Sequence, residues 1–133
     1  MSMDPSLLAK TLDELDPPAW AAPTYESYLV ATCHRLRRKP IGEFGVEDLR
    51  IMIGQKIGLR FLVPLALDVV ERDALVAGDL YPGDLLNSLL RLGPDFWRVH
   101  ADWRNRVEGV LARLAVVPTE LEDAAKTFGG WSG

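Results

Sequence analysis

Cysteine is almost missing from this chain. Cys33 stands alone, so no disulfide can form within the chain, and no CxxC or Cys/His cluster suggests a zinc module. A reducing, cytoplasmic setting is expected. Histidine is nearly as scarce: His34 and His100 are the only two, and no H-x-x-x-H or H-x-x-E spacing marks a set of metal ligands. Long apolar runs are lacking too. The longest, around Phe61 to Leu67, falls far short of the roughly 20 residues that cross a bilayer. The opening residues, MSMDPSLLAKTLDELD, carry no basic start, no apolar stretch of signal length and no small-residue cleavage site. Neither a membrane span nor export by a signal peptide is expected.

Positive charge is in deficit, with 15 Lys and Arg against 19 Asp and Glu, a net charge of −4. Neutralising phosphates needs a concentrated basic surface, so this balance argues against a nucleic-acid partner and suits a basic protein partner.

What is present describes one ordinary globular domain of 133 residues, 48% hydrophobic and 26% charged. At this size roughly two thirds of the unfolded chain's surface can be buried, so neither disulfides nor metal are needed to hold the fold together. Proline and glycine punctuate the chain at helix-length intervals. Leu7, Leu8, Leu12 and Leu15 predict one amphipathic helix over Ser6 to Leu15, stopped by Pro17-Pro18. Thr24 predicts the cap of a second helix, Tyr25 to Arg38, with Glu26 in its first turn, Arg35, Arg37 and Arg38 in its last, and Pro40 as its stop. Gly45 caps a third, carrying Leu49, Met52, Ile53 and Ile57, with Gly58 as terminator.

A fourth begins around Arg60 to Val63, with Pro64 in its first turn, and runs to about Val76. Pro82 starts a fifth, ended by Gly93. Pro94 opens a sixth along Phe96, His100, Trp103, Val107, Val110, Leu111 and Leu114, with a break near Ala101. Pro118 to Glu120 start a last helix to Thr127. No segment alternates long enough to read as a strand. The expected fold is all-α, a single-domain irregular bundle of about six or seven short helices over residues 1–127, with 128–133 as a flexible tail.

Catalytic constellations do not assemble from this pattern. Cys33 and His34 are adjacent, and neighbouring helical residues point about 100° apart, which prevents direct proton sharing. His100 lies on an apolar stripe and reads as a packed, hydrogen-bonded core histidine. Gly42, Gly45, Gly54 and Gly58 match no phosphate-binding loop. The consecutive carboxylates Glu47-Asp48 and Glu122-Asp123 diverge and suit helix first turns. No enzyme activity, cofactor, metal or small-molecule substrate is therefore expected, and the function reads as binding another macromolecule. Two charged stretches stand out: the basic run from His34 to Lys39, and the acids Asp68, Glu71, Asp73, Asp79 and Asp84, opposed only by Arg72 between residues 61 and 90.

The runs PTYESYLVATCHRLRRKPIGEF, VEDLRIMIGQKIGLRFLVPLALDVVE and GDLYPGDLLNSLL, followed by FWRVH, resemble the immunity proteins of contact-dependent growth inhibition (CDI) systems over residues 12–114. The most distinctive pieces are CHRLRRKP, EDLRIMIGQ and YPGDLL. The chain departs from that pattern at Gly45, where threonine is common, and in its glycine-tryptophan tail. The resemblance implies a cytoplasmic antidote that binds the toxic C-terminal domain of a cognate toxin and needs no cofactor. Such toxins are often nucleases, whose basic clefts an acidic protein would suit. Asp73, Asp79, Tyr81 and Asp84 are the interface candidates, because they surround a turn between two helices where side chains can project outward. The rival reading is a helical regulatory or adaptor module that uses the basic 34–39 cluster on an acidic protein or RNA.

Overall fold

The computed structural model describes residues 4–21 and 27–129. Among these the fold is all-α, with nine helices: α1 (Pro5–Leu8), α2 (Leu12–Leu15), α3 (Tyr28–Leu36), α4 (Val46–Gly54), α5 (Leu59–Arg72), α6 (Asp84–Leu90), α7 (Pro94–Val99), α8 (Ala101–Ala112) and α9 (Glu122–Phe128). Short 3-10 turns occupy Ile41–Glu43 and Thr119–Leu121. The described residues contain no strand, only an isolated bridge between Ala77 and Pro82. No described helix is long and apolar enough to cross a membrane.

Local capping explains where helices divide differently from the apolar period. The single helix expected over Ser6 to Leu15 is two, because Thr11 and Glu14 close a reciprocal capping box that begins α2 afresh. The cap expected at Thr24, with Tyr25 and Glu26 behind it, lies outside the described residues; the described α3 is capped by the Ser27 hydroxyl, which accepts from the Val30 amide at 3.1 Å. At its other end α3 stops at Leu36, so Arg37 and Arg38 fall beyond its last turn.

Gly58 does not terminate α4. The helix ends at Gly54, and Lys56 takes the left-handed position (φ 58°) of a Schellman ending, with the Lys56 amide on the Ile53 carbonyl and the Ile57 amide on the Met52 carbonyl. Gly58, at φ 65°, instead opens α5, where a Cβ would lie 2.8 Å from both Leu12 methyls. Pro64 sits inside α5 rather than in its first turn, and α5 ends at Arg72, short of Val76. The break near Ala101 falls at His100 (φ −117°, ψ 61°), which divides α7 from α8. Phe128, placed in the tail by its sequence, is the last residue of α9 and is buried edge-on to Trp97 at 5.4 Å. Residues 130–133 of that tail lie outside the described residues.

The core sits where α4, α5 and α6 meet, with α3 against α4, α8 against α5, and α9 with its preceding turn against α6. Met52, Leu62, Leu67, Leu85 and Leu89 are fully buried there, each stabilising the fold by about 1.5–3 kcal/mol through removal of its side chain from water. This packing brings the start of α4 beside the loop that connects α5 to α6, and so positions the candidate site.

Candidate functional site

The α5–α6 connection, residues 73–83, carries most of the residues singled out by sequence, and two carboxylates from its surroundings hold it in shape. Asp84, at the first turn of α6, is only 2% exposed. Its two oxygens accept the amide of Gly78 at 2.7 Å, of Leu80 at 3.0 Å and of Tyr81 at 3.4 Å. Glu47, in the first turn of α4, accepts the amide of Asp79 at 2.9 Å. Four successive backbone N–H groups, 78 to 81, thus end on two carboxylates, and none is left to water. The close approach requires glycine at 78, where a Cβ would stand 2.6 Å from Glu47 Oε1 and 3.0 Å from an Asp84 oxygen.

A single guanidinium balances both acids. Arg50 Nε donates to Glu47 Oε1 at 2.6 Å, its Nη2 also meets Glu47, and its Nε lies 3.8 Å from Asp84. The Arg50 hydrogen bond holds the Glu47 carboxyl below the usual carboxylate range; burial opposes this and the Asp79 amide assists it. One position further along α4 from Glu47, Asp48 accepts both the Gly45 amide, as half of a capping box, and Lys39 Nζ at 2.8 Å. CHRLRRKP, EDLRIMIGQ and YPGDLL are therefore joined in space, through Lys39–Asp48 and through Glu47, Arg50 and Asp84.

The family model of CDI immunity proteins matches residues 14–107, more than two thirds of the chain. The chain belongs to this family. CDI immunity proteins neutralise toxins, and that coarse role comes with membership. A search of the curated proteins finds no match.

Within this CDI immunity protein the four interface candidates separate. Asp73 and Asp79 are exposed. Tyr81 is half-buried, and its hydroxyl accepts from Asn87 Nδ2 at 2.7 Å. Asp84 does not project outward as expected: its carboxylate is buried and turned in on the loop amides. Sequence reasoning missed Glu47, Arg50 and Gly78, which complete the clamp, and Leu80, which the clamp leaves 61% exposed at the loop's tip. The Glu-Asp-Leu-Arg spacing signalled an i,i+3 ion pair, but nothing in it disclosed the loop on the far side.

The two charged stretches also resolve differently from their appearance in sequence. Of the five acids, Asp68 and Glu71 are bound by Arg106, whose Nη2 donates to Asp68 at 2.8 Å and whose Nε donates to Glu71 at 3.1 Å. With Asp84 buried, Asp73 and Asp79 remain as the exposed acids of that run. The basic run is similarly divided. Arg37 is buried, Lys39 is committed to Asp48, and only Arg35 and Arg38 are exposed.

The remaining candidates are structural in their surroundings. Cys33 is buried, and burial pushes its thiol pKa up, away from the reactive thiolate. His34 meets Trp20 edge-on at 5.0 Å. His100 is half-buried rather than a core histidine; it stacks on Trp103 at 4.5 Å and 10°, with Phe96 4.5 Å away, and the break at residue 100 keeps it at the surface. Among the described residues no group of three or more His, Cys, Asp or Glu is placed to hold a metal ion.

Proposed function

We propose that this CDI immunity protein acts in the cytoplasm by covering the active or substrate-binding surface of its cognate toxin, and that the 73–83 end of the bundle makes the contact. The supporting observation is a loop fixed from within that carries two exposed carboxylates, Asp73 and Asp79, beside the half-buried Tyr81. A loop already ordered in the free protein loses little conformational freedom on binding, so more of the contact energy appears as affinity. Exposed acids accelerate encounter with a basic surface and penalise wrong partners. A nuclease, whose substrate cleft must attract phosphates, is the toxin class that fits such a surface. An interface of about 1,600 Å² in total suffices for a stable one-to-one complex. Occlusion asks nothing of the chain beyond shape and charge, and no bond-making group is assigned.

The adaptor reading needed a continuous basic patch at residues 34–39, and the burial of Arg37 and engagement of Lys39 leave it without support. The test is co-expression of this chain with its cognate toxin domain, read as growth rescue and as a complex on size-exclusion chromatography. Rescue with a one-to-one complex supports occlusion, and rescue without any complex overturns it. Asp73→Lys with Asp79→Lys should slow association and weaken protection. An unchanged association rate would place the contact elsewhere on the protein.

A further inference from the structure

We infer that Leu80 is the apolar anchor of the toxin contact, and that the surface it meets is a hydrophobic socket rimmed by lysine or arginine side chains; this rests on the proposed toxin-binding reading. Three observations converge on Leu80. The first is exposure: Leu80 is 61% exposed, so it contributes little to holding the fold together. Single exposed apolar residues are common on protein surfaces, and Tyr28, Leu29, Val99 and Val116 are also exposed here. Exposure by itself therefore decides nothing.

The second observation separates Leu80 from those residues. Its own amide and those of Gly78, Asp79 and Tyr81 are donated to Asp84 and Glu47, and the Gly83 amide returns to the carbonyls of Leu75 and Val76. The left-handed Gly83 (φ 90°) locks the exit of the loop, since a Cβ there would crowd Leu121 and Leu75 at 3.1 Å. A buried acid, a part-buried ion pair and two positions confined to glycine thus hold the backbone under an apolar tip. Such fixing adds nothing to the burial of Leu80. It does hold the side chain ready for a pocket on another molecule, which is how anchor residues at interfaces are presented.

The third observation is charge. Asp79 precedes Leu80 directly and is exposed, and Asp73 stands exposed at the start of the same loop. The nearby Glu47 and Asp84 are satisfied internally by Arg50 and the loop amides. The tip therefore presents one aliphatic group bordered by negative charge, and the complementary surface is an apolar hollow with cations at its edge.

The experiment compares wild-type protein with Leu80→Ala, Leu80→Asp and, as a control at an exposed valine outside the 73–83 loop, the last residue of α7, Val99→Asp. Binding to the purified toxin domain is measured by biolayer interferometry, with thermal unfolding recorded for every variant. Leu80→Asp should weaken affinity by about a hundredfold and Leu80→Ala by about tenfold, mostly through faster dissociation, with unchanged melting temperatures. Val99→Asp should bind as wild type does. Wild-type affinity in Leu80→Asp overturns the anchor while leaving the toxin-binding reading intact, and so does a loss confined to Val99→Asp. Failure of the wild-type protein itself to bind the toxin sinks both.

Discussion

Arg37 Nε donates to Asp13 Oδ1 across 2.8 Å, with the guanidinium only 2% exposed, and thereby fastens the N-terminal segment to the end of α3. The same guanidinium donates to the Asp16 carbonyl at 2.8 Å and lies 4.7 Å over the Trp20 ring. Arg37→Ala would leave a partly buried carboxylate and several carbonyls unanswered, and should cost about 3–5 kcal/mol in urea unfolding. Arg35→Ala, at an exposed position two residues earlier, should change stability by less than about 0.5 kcal/mol. Similar losses in the two variants would contradict the assignment.

Acid should weaken the protein through its bound glutamates. The Arg50 guanidinium holds Glu47 below its ordinary value of 4.5, and the Arg106 guanidinium does the same for Glu71. Each carboxyl takes up its proton more readily in the unfolded chain, so these bonds contribute fully above 4.5 and are lost as pH falls through the lower folded values. Urea midpoints taken at neutral pH and stepwise below 4.5 should fall, and Glu47→Gln should flatten part of that decline. A midpoint independent of pH over this window would contradict both pairings.

How legible was this in the sequence? Helices announced by Gly45 and Pro94 begin where those residues place them, because caps and proline act locally, whereas the Pro118–Glu120 run opens a 3-10 turn and α9 follows only from Glu122. The division of α1 from α2 was legible too, in the Thr11–Glu14 capping box, yet the apolar stripe through Leu7, Leu8, Leu12 and Leu15 reads as one helix when period alone is followed. The site was half legible. Asp73 and Asp79 stand exposed around a turn, as their polarity and position suggested. The burial of Asp84 depends on three amides folding back onto it, and the pairing of Arg106 with Asp68 and Glu71 spans 38 and 35 residues. Neither leaves a local signal.

Lys56 occupies a backbone conformation that glycine adopts without strain (φ 58°). Lys56→Gly should raise stability by about 1 kcal/mol, because the left-handed penalty of roughly 1–2 kcal/mol for a residue with a Cβ outweighs glycine's greater unfolded-state entropy. Lys56→Ala retains the Cβ and should be nearly neutral. Thermal and urea unfolding of the two variants checks the sign, and a destabilised glycine variant would refute the argument.

Gly78→Ala tests the clamp from its tightest point. The added methyl would have to displace Glu47 or Asp84, each already bonded to loop amides. A loss of about 1–3 kcal/mol is expected from this overpacking. Faster hydrogen exchange at the amides of residues 78 to 81 should accompany it. Unaltered exchange at those four amides would show that the carboxylates do not hold the loop.

The burial of Phe128 on Trp97 bears on how domain-trimming experiments should be designed. The family match stops at residue 107, yet Arg104, inside it, donates to the Phe128 carbonyl at 2.9 Å, and Leu12, just ahead of its start, is fully enclosed beside Gly58. A fragment cut at the family limits would open two raw hydrophobic wounds, and its loss of antidote activity would report collapse of the scaffold rather than removal of a contact. Deletion mapping should therefore keep both flanks, through Phe128 at least, and rely on point changes to find where the toxin sits.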